Sequence, residues 1–180
     1  MNRYLAILVV SLICVSAGSS NALISSSDVS ANHVQTKVGI RMLVNAQVPN
    51  FATGDGVVTL GNAKMRGDNF ALGLDTERSS HAQGDFFGNG NPGIAAFFVS
   101  NSGGGKELFT LAVFKVEGGV PQYVASVPMG DRIVVNKVSY ANGIFSVDIF
   151  AHAQGDGMCC PTLRTVVKYQ LQGDKLVEPR

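Results

Sequence analysis

The sequence predicts a mainly β domain, an antiparallel meander of hairpins that closes into a sandwich or barrel-like roll. Three observations predict it. Strand-length stretches rich in Val, Ile and Phe recur from Asn50 onward, and Gly/Asn/Asp couples punctuate them. The connections are too short for anything but antiparallel neighbours.

The chain begins differently. Arg3, an apolar run from Leu5 to Val15 and the small-x-small pattern Ser20-Asn21-Ala22 make residues 1–22 a predicted signal peptide, cut after Ala22. The run is shorter than the roughly 20 apolar residues that span a bilayer, and no later stretch replaces it, so no transmembrane span is expected in the mature chain. Ser11-Leu12-Ile13 before Cys14 lacks the small residues of a lipoprotein-processing site. A periplasmic or secreted location follows as an expectation. Residues 23–48 form a poorly defined lead-in. Ser25-Ser26-Ser27-Asp28 could cap a short helix from Val29 towards Leu43, and the Val-rich pattern interrupted by Gly39 fits a lead-in and a strand equally well.

A single β domain is expected over residues 49–180. Residues 57–60 and 63–66 flank Gly61-Asn62, a couple that tolerates positive φ and so closes a hairpin. Further strands are expected at 93–100, 107–116, 120–127, 132–140, 144–152 and 163–171, closed by 175–178. In the 144–152 stretch Phe145, Val147, Ile149 and Ala151 fall on one face, against Ser146, Asp148 and His152 on the other. Residues 94–99 and 108–114 are apolar on both sides, as central strands covered on both faces are.

Charge narrows the function classes. The chain has 14 Lys plus Arg and 13 Asp plus Glu, and loss of Arg3 with the leader leaves the mature domain neutral. Basic excess supplies most non-specific nucleic-acid affinity, so nucleic acid is not an expected partner. The absence of Trp removes one favoured sugar-stacking residue. No G-x-S-x-G or H-E-x-x-H motif is present, and His33, His81 and His152 are the only histidines, so no catalytic set is assigned.

Three constellations remain. Met158-Cys159-Cys160-Pro161-Thr162 carries the only thiols of the mature chain. Outside the cytoplasm the adjacent pair either forms a vicinal disulfide that rigidifies a loop or serves redox chemistry, stays reduced, or holds a soft metal such as copper with Met158 and His152. His81-Ala82-Gln83-Gly84-Asp85 recurs as His152-Ala153-Gln154-Gly155-Asp156. If both turns met at one end of the sheet, two His and two Asp would offer a zinc ligand set; otherwise the match is shared turn chemistry. The stretch from Asp85 to Gly93 has the outline of a calcium loop, but Phe87 and Gly93 occupy ligand positions and Asn89 replaces a carboxylate. A Gly/Asn turn stabilised by Asx-type hydrogen bonds competes with Asp85 and Asn89 as calcium ligands.

The order of blocks resembles a widespread family of uncharacterised bacterial secreted domains. Here it reads Val58-Thr59-Leu60, Gly84-Asp85, Gly88, Gly90, Ala95-Ala96, Ser102-Gly103-Gly104-Gly105, Met129-Gly130-Asp131-Arg132-Ile133 and Met158-Cys159-Cys160-Pro161-Thr162. The similarity runs from about Asn45 to Glu178. It implies fold and location, and brings no activity, substrate or cofactor. The expected role is therefore a non-catalytic binding or structural module acting on an envelope component, without a cofactor. The alternative is a thiol-redox or soft-metal protein centred on Cys159 and Cys160.

Overall fold

The computed structural model describes residues 39–180. It is mainly β, with antiparallel pairing throughout. A 3-10 turn at Ile40–Leu43 leads into β1 (Gln47–Pro49) and β2 (Val57–Thr59), which pair with each other. Then come β3 (Lys64–Arg66), β4 (Ala71–Leu74), a second 3-10 turn at Arg78–Ser80, β5 (His81–Gly84), β6 (Gly93–Asn101), β7 (Leu108–Glu117) and β8 (Val120–Asp131). They make one sheet in the order β3-β4-β6-β7-β8, with β5 beside β6 on the same side as β4. The chain then crosses to a second sheet, β12-β11-β10-β9, built from β9 (Val134–Ala141), β10 (Ile144–Ala151), β11 (Leu163–Gln172) and β12 (Lys175–Val177).

Two apolar clusters explain why these sheets stack. Between them lie Ala95, Phe97, Leu111, Val113 and Ala125 from the larger sheet and Val138, Phe145, Val147 and Ile149 from the smaller. The other face of the larger sheet presents Ile94, Ala96, Phe98, Ala112 and Phe114, and these are roofed by Leu43, Ala46, Val48 and Leu60. Alternate residues of β6 and β7 thus point into different clusters, as a period of two requires, and both sides are fully covered. β5 packs against β9 and β8 against β12, so the sandwich closes as a roll.

Residues 40–48, the end of the poorly defined lead-in, pack against the roofed face of the larger sheet, with Leu43 and Val48 completely buried. The helix considered from Val29 lies largely outside the described residues; within them Gly39 is extended and Ile40–Leu43 is a separate 3-10 turn. The hairpin about Gly61-Asn62 is corrected. Asn62 and Ala63 carry the positive φ values, 54° and 69°, and Gly61 and Lys64 exchange backbone hydrogen bonds across them. Beyond that single bridge the two arms part, β2 to β1 and β3 to β4. The segment before β1 drives them apart by claiming their backbone groups: the Leu60 amide donates to the Ala46 carbonyl and the Ala63 amide to Val44.

The long free edge is β8. It carries Pro121 and Pro128 and two register shifts against β7, features that blunt an edge against further strand pairing. Among the described residues no helix is long and apolar enough to cross a membrane.

Candidate functional site

Three ladders of hydrogen-bonded strands run out at one corner of the roll. The β7–β8 ladder ends at Leu108 with Asp131, β9–β10 at Val134 with Phe150, and β10–β11 at Ala151 with Leu163. Where pairing stops, the side chains enclose a cleft of ≈ 470 Å³ lined by residues 129–133, Ala151, His152, Asp156 and Met158. The Met129-Gly130-Asp131-Arg132-Ile133 block and Met158, which opens the Met-Cys-Cys-Pro-Thr block, thus line one place.

The first wall is the corner from β8 to β9. Arg132 holds φ at 47°, a left-handed value uncommon for a residue with a Cβ. Glu107 fixes this corner at two points, its carbonyl accepting from the Arg132 amide at 2.8 Å and its own amide donating to Asp131 Oδ1 at 2.9 Å. The Arg132 guanidinium closes onto Asp131 Oδ2. Desolvation raises the Asp131 pKa, but the Glu107 N–H and the Arg132 charge outweigh it, and the carboxyl lies below its ordinary value.

The second wall is the loop between β10 and β11, and Asp156 organises it. Asp156 Oδ2 accepts from the amides of Ala153 at 2.7 Å and Thr162 at 2.8 Å, while Oδ1 accepts from Thr162 Oγ1 at 2.8 Å. These donors favour the charged form and lower the Asp156 pKa, Ala153 most strongly; nearby His152 adds a smaller push in the same direction. Within the loop the Cys160 amide donates to the Gly157 carbonyl at 3.1 Å, a tight turn that carries Met158 and Cys159 at its tip. The two cysteines stand at disulfide distance, and both are exposed.

The hydrogen-bonding account of the cleft is asymmetric. Both carboxylates are engaged by donors of the protein itself, whereas two nitrogens, Arg132 Nε and His152 Nε2, are buried without a partner among the described residues. Groups left in that condition cost roughly 1–3 kcal/mol each. Ile133, Ala151 and the methionines 129 and 158 supply apolar wall. Val134, Met158 and Leu163, three of the large apolar side chains left exposed, belong to the strand ends and loop at this corner.

The remaining candidates lie elsewhere. His81 opens β5, pairs with Ala96 of the larger sheet, and has Nδ1 3.1 Å from the Glu77 carbonyl. The second copy of that pentapeptide begins past β10 of the smaller sheet, so the two copies differ in local structure: the first is a strand, the second a turn closed by its own Asp156. The zinc set expected from His81, Asp85, His152 and Asp156 is not gathered; among the described residues no group of three or more His, Cys, Asp or Glu is arranged to hold a metal. Asp85 accepts from the Asn89 amide at 3.2 Å and the Gly90 amide at 2.9 Å, and Asn89 Oδ1 accepts from the Asn91 amide. The Gly90 N–H leads the causes that hold the Asp85 pKa below its ordinary value against an opposing desolvation. Phe86 and Phe87, in the middle of that loop, pack on the core between the sheets. With the cysteine sulfurs joined to each other, neither offers copper a thiolate in this form.

Sequence reasoning did not single out Asp131 and Arg132 as site residues. Their signal was present in the Met129-Gly130-Asp131-Arg132-Ile133 block, which served only as a marker of resemblance. No family model matches the chain, and neither a curated protein nor a solved structure matches it.

Proposed function

We propose that this chain is an exported envelope protein that works as a non-catalytic binding module, taking its ligand in the cleft between residues 129–133 and 151–158. The observation that carries the reading is the pair of buried, unpartnered nitrogens on Arg132 and His152 beside carboxylates that are already engaged. A volume of ≈ 470 Å³ suits a small ligand or a peptide side chain with its flanking backbone.

The chemistry of the walls narrows the ligand. The unpartnered Arg132 Nε–H is a donor, so a ligand that reaches it on binding brings an acceptor. One guanidinium faces two carboxylates, so a strongly anionic ligand gains little. A neutral amide or hydroxyl-bearing molecule with an apolar portion fits, its carbonyl meeting the nitrogens and its apolar part meeting Met129, Met158 and Ile133. His152 Nε2 hydrogen-bonds to no serine or cysteine, so the cleft holds no nucleophile poised against that nitrogen. The leader-like first 22 residues, the neutral mature charge and the resemblance to secreted bacterial domains support the location.

Thermal-shift titration of the mature protein with neutral tripeptides and disaccharides tests the ligand class. The expected result is a rise in Tm with at least one of them that Arg132→Gln and His152→Asn abolish. Ligand-induced stabilisation that both variants retain, or turnover of any compound in the set, overturns the reading. Fractionation of the native host tests location: the expected species starts after Ala22 outside the cytoplasm, and an unprocessed cytoplasmic chain defeats that part.

A further inference from the structure

We propose that Cys159–Cys160 is a thiol–disulfide exchange site, opened by an external dithiol, rather than a staple of the fold. The inference goes beyond the binding reading and does not depend on what occupies the cleft.

Its basis is what holds the loop. A disulfide stabilises chiefly by shortening the unfolded chain, and a link between neighbouring residues encloses no intervening residue to constrain. The remaining structural task would be to fix the local path of residues 153–162. Asp156 already does that by tying Ala153 to Thr162 through three hydrogen bonds, and the Gly157 carbonyl closes the turn on the Cys160 amide. All four contacts involve atoms other than the sulfurs. Neither cysteine belongs to an apolar cluster, so the pair buries nothing that the core uses.

Access points the same way. Residues 157–160 are all exposed, and Met158, at 67% exposure, stands at the cleft mouth beside the pair. Exposed disulfides are the labile, reactive kind, whereas structural ones in secreted proteins are sheltered by the fold.

The exchange is balanced as follows. A thiolate of the dithiol attacks one sulfur of the pair; a mixed disulfide forms, the Cys159–Cys160 bond breaks, and the released cysteine thiolate takes up a proton. The second thiol of the dithiol then attacks the dithiol's own sulfur in the mixed disulfide; the dithiol closes to its intramolecular disulfide and the other cysteine leaves as a thiolate that takes up a proton. Two electrons and two protons move from the dithiol to the pair, which ends as two free thiols.

The test uses the mature protein under native conditions. After a pulse of dithiothreitol, alkylation and intact-mass analysis should show two adducts, formed within about tenfold of the rate in the urea-unfolded chain, because exposure leaves little shelter. Reduction should lower Tm by less than about 5 °C, since the link constrains so little of the unfolded state. A dithiol oxidoreductase whose resolving cysteine has been replaced should be trapped as a one-to-one covalent adduct, absent with the variant C159S/C160S. The double variant should still fold, and its circular dichroism and Tm should match those of the reduced wild type. Native protein that resists reduction until unfolded, a larger drop in Tm, or no trapped adduct from a chain that forms one when unfolded overturns the proposal. Ligand binding in the cleft, measured on the same double variant, fails or survives independently of these outcomes.

Discussion

Gly93 sits at the junction between the Asp85 loop and the central strand β6, and replacing it with Ala tests how that loop is held. Gly93 pairs across the sheet with Gly84, and the Phe86 ring lies over both. A Cβ at position 93 would stand 2.4 Å from Phe86 Cδ2 and 3.0 Å from Cε2. Comfortable carbon contacts begin near roughly 3.5 Å, so the overlap is about 1 Å. The ring has little freedom to yield: Tyr140 meets it at 4.6 Å and Phe145 at 4.8 Å, both edge-on. Overpacking of this kind costs about 1–3 kcal/mol, and the reduced freedom of the unfolded chain returns about 0.4–1 kcal/mol. The net expectation for Gly93→Ala is a loss of about 1–2 kcal/mol, or about 3–7 °C in Tm for a domain of this size. Gly84→Ala, whose Cβ would meet Phe86 and Tyr140 at 3.3 Å, should cost less. Denaturant unfolding of Gly93→Ala, Phe86→Leu and the double variant completes a cycle. The double variant should lose less than the sum by at least about 0.5 kcal/mol, because Leu vacates the space the new methyl needs. Strict additivity, or a Gly93→Ala protein as stable as wild type, would refute the packing argument.

Three further outcomes follow from the same structure. Asp85, Asp131, Asp148 and Asp156 all have pKa values below the ordinary 3.8, so their contribution is present above that value and is lost as pH falls through the lowered folded values. Tm measured from pH 6 to pH 2 should fall mainly below about pH 4, and Asp156→Asn should show a smaller fall there than wild type. Because both Asp85 oxygens already accept backbone amides, millimolar Ca²⁺ should leave Tm unchanged; a clear rise would restore the calcium reading of the loop. Phe145 is fully buried between the two sheets, so Phe145→Ala should cost about 3–5 kcal/mol in denaturant unfolding, and a cost under about 1 kcal/mol would mean that the sheets do not pack there.

What the sequence disclosed depended on whether the information was local. Where strands are bounded by their own turn residues, 93–100, 107–116 and 144–152 read out close to the observed Gly93–Asn101, Leu108–Glu117 and Ile144–Ala151; the expected turn at Gly130-Asp131 instead lies inside β8, which runs to Asp131. The two-sided apolar character of β6 and β7 likewise announced a layer on each face. It did not reveal what the second layer was, because Leu43, Ala46, Val48 and Leu60 show no strand or helix period and act by reaching one sheet from separate short pieces. The Gly61-Asn62 hairpin misled for the same reason: the turn is there, but Val44 and Ala46, fifteen or more residues upstream, take the hydrogen bonds that its arms would have shared. At the site, Asp156, His152 and Met158 were legible as chemistry-bearing residues beside the cysteines. Arg132 was not, since its relevance arises only when the corner between the sheets meets the β10–β11 loop.

The proposed binding role would make that corner separate stability from recognition, and His152 is where the two can be told apart. The ladders end there, so cleft side chains can change without removing a strand pair. For a typical buried polar group, truncation destabilises because its partner is left unsatisfied. His152 Nε2 has no such partner; burying it costs the fold roughly 1–3 kcal/mol and returns no hydrogen bond. Replacing His152 by Leu, of similar bulk and without the nitrogen, should therefore preserve or raise Tm while abolishing the ligand response expected of the cleft. Sites that evolve for binding accept this kind of local penalty, and its removal is the signature that distinguishes them from packing. Urea unfolding of His152→Leu beside wild type decides the matter: a loss of stability beyond about 1 kcal/mol would show that the imidazole is a structural member of the corner, and the binding role assigned to it would lose its physical ground.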